Sequence, residues 1–175
     1  MKPLSESKAL SKLDEIRSDF RKVIRRDFEH RAKSCASCEA PGACCLDEHF
    51  VNVRITKLEA VQIIKTLNEL PDGLRSKVRT RIGDSIAKYS LNEGGELKTY
   101  ACPLFEMGRG CLVHNKAKPL PCIAHACYER KEDLPPDALL DEREIEIEKL
   151  NRRVYGTTTL LPIPLALQVQ KPARQ

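Results

Sequence analysis

Residues 35–45 read Cys35-Ala-Ser-Cys38-Glu-Ala-Pro-Gly42-Ala-Cys44-Cys45, and this short stretch decides how the rest of the chain is read. Four thiols fall within eleven residues, between Gly and Pro punctuation that disfavours regular structure. A gap of 56 residues follows, then a second group: Cys102, Cys111, Cys122 and Cys127. All eight cysteines lie in these two segments, and none falls on a helical stripe of the sequence. Cysteines acting as small hydrophobes would scatter through buried faces. Gathered in two loops, they point instead to metal ligation.

The Cys35-x2-Cys38 pair lets two thiolates reach one ion with little strain. Cys44 and Cys45 are adjacent, so their side chains diverge and are expected to serve two neighbouring ions or different corners of a polynuclear cluster. Eight thiolates suit two four-coordinate centres with both loops contributing to each. The candidate ligands are Cys35, Cys38, Cys44, Cys45, Cys102, Cys111, Cys122 and Cys127. Pure thiolate ligation fits zinc and an iron–sulfur cluster equally well. His49, His114 and His125 lie beside cysteines in sequence, where a donor to a ligand sulfur is commoner than a ligand.

Outward from the loops the pattern is helical. Leu10, Leu13, Ile16, Phe20, Val23, Ile24 and Phe28 recur at three- and four-residue steps, giving a long amphipathic helix over 5–33. Arg17, Arg21, Lys22, Arg25 and Arg26 are expected on its polar sides. Val51-Asn-Val-Arg-Ile55 alternates like a short strand, without an evident partner. Thr56-Lys-Leu-Glu59 matches a capping box and opens a helix to about Glu69, closed by Pro71-Asp-Gly73. Leu74, Val78, Ile82, Ile86 and Tyr89 trace the next helix. Pro135-Pro136 opens the last, which carries Leu140, Ile147, Leu150 and Val154 and stops at Gly156. The tail from Thr157, with Pro162 and Pro164, is expected to be extended.

The expected fold is therefore mostly α, a small helical domain organised around a two-loop cysteine cluster, with at most a short β segment. Its parts are an N-terminal helix (1–34), a cysteine region (35–128) and a C-terminal helix with tail (129–175), in one compact domain. The chain has no Trp and only 5% aromatic residues, so large apolar side chains are scarce. A metal crosslink would offset that. Structural zinc contributes roughly 10–16 kcal/mol of apparent binding free energy, comparable with the whole net stability of a domain, about 5–15 kcal/mol.

No run approaches the roughly 20 apolar residues of a membrane span, and the start Met1-Lys-Pro-Leu-Ser lacks the apolar core of a secretion signal. A cytoplasmic location is expected, where thiols stay reduced and a cysteine cluster means metal or redox chemistry more often than disulfides. A thiol-redox role for Cys35-Ala-Ser-Cys38 is disfavoured, because such pairs sit at strand-to-helix junctions and this one follows a helix. The net charge of +5 is uneven: residues 1–33 hold ten Lys/Arg against six Asp/Glu, and 129–149 hold four against nine. A basic helix and an acidic segment that face water or each other account for this. Nucleic-acid binding is the rival reading, weakened by the few aromatics available for stacking. No hydrolase elbow, phosphate loop or zinc-protease helix is visible, so no catalytic residue is assigned.

Taken together, Cys35, Cys38, Gly42, Cys44-Cys45, Cys102-Pro-Leu-Phe105, Gly110-Cys111 and Lys118-Pro-Leu-Pro-Cys122 resemble the YkgJ-like cysteine-cluster family. Ile55-Thr56 followed by Glu59 extends the likeness, which spans about 35–128. The resemblance implies zinc or iron chelation. Some members of that family are similar to flagellin lysine methylases, which use an iron–sulfur cluster and S-adenosylmethionine, but no glycine-rich strand-to-helix turn for that cofactor is present here. The family shows Tyr where His114 stands and Arg where Lys118 stands, and its most compact members have a shorter spacing than Cys38 to Cys44.

Overall fold

A computed structural model describes residues 2–33, 39–46, 51–93 and 98–169. The protein is mostly α, as expected, with seven α-helices and only two-residue strands among the described residues. Packing divides the chain into two compact units that interleave in sequence. One comprises 1–41 with 118–158, the other 42–117 with 159–175. The cysteine region 35–128 thus contributes residues to both.

In the first unit, α1 (Glu6–Asp27) starts at Ser5, whose hydroxyl accepts from the Lys8 amide. Leu10, Leu13, Phe20 and Ile24 are buried on one face, as the periodicity predicts. Arg17 corrects the expectation. Placed on the polar side by its charge, it lies in the buried stripe between Leu13 and Phe20, 1% exposed. Its position is three and four residues from buried neighbours, and geometry overrides residue type. A 3₁₀ turn (Glu29–Arg31) then leads into β1 (Ala32–Lys33).

Against α1 pack α5 (Leu120–Ala124) and α6 (Asp137–Tyr155). Pro136 caps α6, and Gly156 ends it with φ +79°, the left-handed conformation that glycine adopts without penalty. The basic and acidic segments therefore belong to one unit, in which α1 packs on α6. The Tyr155 hydroxyl donates to Glu6 at 2.7 Å. β5 (Cys127–Tyr128) pairs antiparallel with β1, Lys33 opposite Cys127.

The second unit is built on α3 (Lys57–Asn68) and α4 (Asp72–Lys88). The capping box is present in full: Thr56 accepts from the Glu59 amide, and Glu59 accepts from the Thr56 amide at 2.9 Å. The core gathers Ile55, Ile63, Val78, Ile82, Tyr100, Leu104 and Ile163. The tail is not simply extended. β2 (Arg54–Ile55) pairs with β6 (Leu161–Pro162), and α7 (Ile163–Val169) packs on α3 and α4. Pro164 fits there because the first turn of a helix needs no amide donor. The apolar residues Ile163, Ala166 and Leu167, too few to mark a helix on their own, acquire one by burial.

Tyr100 locks this arrangement. Its side chain is fully buried, and its hydroxyl donates to the Val53 carbonyl while accepting from the Ile163 amide at 3.0 Å. Tyr100 thereby ties the segment before Cys102 to the residue before β2 and to α7. Tyr100→Phe is expected to cost about 1–3 kcal/mol, the range for losing a hydrogen bond and stranding a buried polar group. A lowered denaturation midpoint at unchanged helical content would register it; an unchanged midpoint would mean that the hydroxyl holds nothing.

Candidate metal centre

Backbone pairing joins Cys45 of the first loop to Cys102 of the second within the second unit. The 35–45 stretch is not wholly irregular, because Cys44 and Cys45 lie on a single helical turn, α2 (Ala43–Leu46). Gly42 starts that turn, its carbonyl accepting from the Cys45 and Leu46 amides at 2.8 and 3.0 Å. The Cys45 carbonyl then accepts from the Cys102 amide at 2.7 Å. From Cys102 the chain turns, with Phe105 N donating to the Cys102 carbonyl, into a hairpin of β3 (Phe105–Glu106) and β4 (Gly110–Cys111). The register sets Phe105 opposite Cys111.

Gly42 and Phe105 explain two motif residues at once. Gly42 has φ +84°, and an ideal Cβ built on it would stand 1.9 Å from Phe105 Cζ. The ring lies directly on the glycine, clamping the α2 turn to the hairpin. From the other side, Arg81 of α4 pairs with Glu106 at 2.6 Å, and the Ser85 hydroxyl donates to Ala101 O at 3.5 Å. The hairpin is thereby fixed to a long helix.

Cys44, Cys45, Cys102 and Cys111 are all half-buried thiols. Burial pushes the Cys45 thiol up to about 12, and the charges that Cys44, Cys102 and Cys111 would carry as thiolates push the same way. Cys45 thus feels cysteines drawn from both loops. As they stand, no three His, Cys, Asp or Glu side chains among the described residues are grouped to hold one ion. Neighbourhood is fixed here by the backbone; coordination geometry is not.

The remaining sequence-predicted ligands are placed differently. Cys122 lies on α5 and Cys127 on β5, both half-buried, in the first unit. Cys35, Cys38 and His49 lie outside the described residues. His114 and His125 are exposed. No described cysteine forms a disulfide. No family model, curated protein or solved structure matches the chain.

Gly42→Ala should separate the clamp from ordinary helix propensity. It must displace the Phe105 ring and hold a left-handed residue, a strain of about 1–3 kcal/mol before any loss of packing. Gly83→Ala, in the middle of α4 with nothing within 4 Å of the added methyl, should instead stabilise by about 0.5–1 kcal/mol. Chemical denaturation that shifts both variants in the same direction would contradict the clamp.

Proposed function

We propose that this chain is a metal-binding protein of the YkgJ-like kind, chelating zinc or an iron–sulfur cluster through its cysteine thiolates. The observation that carries the reading is the pairing of Cys45 with Cys102 across the long gap, which gathers Cys44, Cys45, Cys102 and Cys111 from both loops. Its physical logic is the relief of an unfavourable state. Burial and its cysteine neighbours disfavour ionisation of the half-buried Cys45 thiol on its own. A cation supplies the missing charge, and thiols become ligands by losing their protons to solvent.

The donor set fits the group. Soft sulfur ligands suit zinc and iron–sulfur clusters, and disfavour magnesium or calcium, which take oxygen. The bound group would supply a crosslink between the α2 turn and the hairpin, which suits a core with few aromatics. In a cytoplasmic setting the thiols would remain reduced and available. No helix among the described residues is long and apolar enough to cross a membrane. Nucleic-acid binding gains no specific support: Lys22, Arg25 and Arg26 of α1 are paired with Asp19, Glu29 and Asp27.

Two measurements on protein purified without oxygen test the reading. Elemental analysis with an absorption spectrum should find zinc in a colourless protein, or iron with acid-labile sulfide in a brown one. Absence of any thiophilic metal, together with eight cysteines that alkylate freely in the native protein, would refute it. Stripping the metal should also lower the thermal midpoint and erase near-ultraviolet circular dichroism while leaving part of the helical signal. An identical melt after verified metal removal would show that the group has no structural part.

A further inference from the structure

The division of the chain into two units also divides its cysteines. Cys44, Cys45, Cys102 and Cys111 all belong to the unit formed by 42–117 and 159–175, and every backbone link that gathers them lies inside it. The Gly42 carbonyl holds the α2 turn, Cys102 bonds to Cys45, and the hairpin register carries Cys111 to Phe105, whose ring lies on Gly42. No residue of the other unit is needed at any step. We infer that Cys44, Cys45, Cys102 and Cys111 make up a complete four-thiolate metal centre of their own, which loads without Cys35, Cys38, Cys122 or Cys127.

This deepens the metal-binding reading and rests on it. It also revises the role of the vicinal pair. Cys44 and Cys45 need not be divided between two separate centres, because both lie in the same group with Cys102 and Cys111. Consecutive residues on a helical turn point about 100° apart around its axis. In one centre they therefore occupy two different corners. Four thiolates are a full set for one tetrahedral zinc and equally for one iron–sulfur cluster, so the same four sulfurs serve either group and the content of the loaded protein tells which.

The experiment uses the full-length chain. Cys35→Ser, Cys38→Ser, Cys122→Ser and Cys127→Ser are combined in one variant, purified without oxygen. One portion is loaded with zinc alone, another with ferrous iron and sulfide. The expected result is one tightly held zinc per chain, or one cluster with its iron–sulfur absorbance. The reciprocal variant, carrying Cys44→Ser, Cys45→Ser, Cys102→Ser and Cys111→Ser, should lose that equivalent. A wild-type protein that holds metal beside a first variant that holds none, although folded by circular dichroism and gel filtration, overturns this inference and leaves the metal-binding reading standing. A wild-type protein without metal defeats both.

A second measurement on the unsubstituted protein does not depend on how the variants fold. During a chelator titration, alkylation of each cysteine is followed by mass spectrometry. Cys44, Cys45, Cys102 and Cys111 should become reactive together, in a step separate from the other four. Release of all eight in one step, or of Cys44 and Cys45 in different steps, overturns the inference.

Discussion

The amide of Cys102 donates to the carbonyl of Cys45 across 56 intervening residues, and the second unit is arranged so that this bond can form. Such a contact closes a long loop, whose entropic cost grows only slowly with length but must still be met by packing. Packing is supplied on both sides of the bond. Tyr100, two residues before Cys102, is buried and hydrogen-bonded to the residue before β2 and to α7. Phe105, three residues after it, lies on Gly42. Two of the chain's eight aromatic residues thus flank the Cys45–Cys102 bond.

The α-helices serve this junction at one remove. α3 and α4 carry the apolar core under it, with the capping box fixing where α3 begins. Arg81 and Ser85 of α4 reach the hairpin and the residue before Cys102. The partly buried Arg81–Glu106 pair has less solvent around it than a surface ion pair, which generally contributes little. Its role is to set the hairpin's position on the helix. In the other unit, α1 and α6 bury largely apolar stripes, and α6 is stopped by a left-handed glycine.

Raised thiol basicity and the proposed metal binding would be two sides of one circumstance. Burial and the presence of like groups keep Cys45 protonated when it stands alone. The same low-dielectric surroundings strengthen attraction to a cation once the proton has left. Chelation at such a place would be coupled to proton release and would therefore weaken in acid, as for thiolate sites generally.

Much of the helical framework was legible in the residues. The stripe of α1, the Thr56–Glu59 box, the α4 repeat and the Gly156 stop each follow from local chemistry, because side-chain spacing and capping act within a few residues. Arg17 is buried against its charge, which predicts exposure only until a helix face is committed to burial. The tail forms a helix that its own residues do not announce, because α7 owes its existence to a surface provided by α3 and α4. The cysteines themselves, their clustering and the glycine before the double cysteine were visible in the sequence. Which sulfurs become neighbours was not. That depends on the Cys45–Cys102 bond, the hairpin register and the Phe105–Gly42 contact, all of which join residues far apart in the chain. Local spacing cannot encode such partnerships; only a packed tertiary structure can select them.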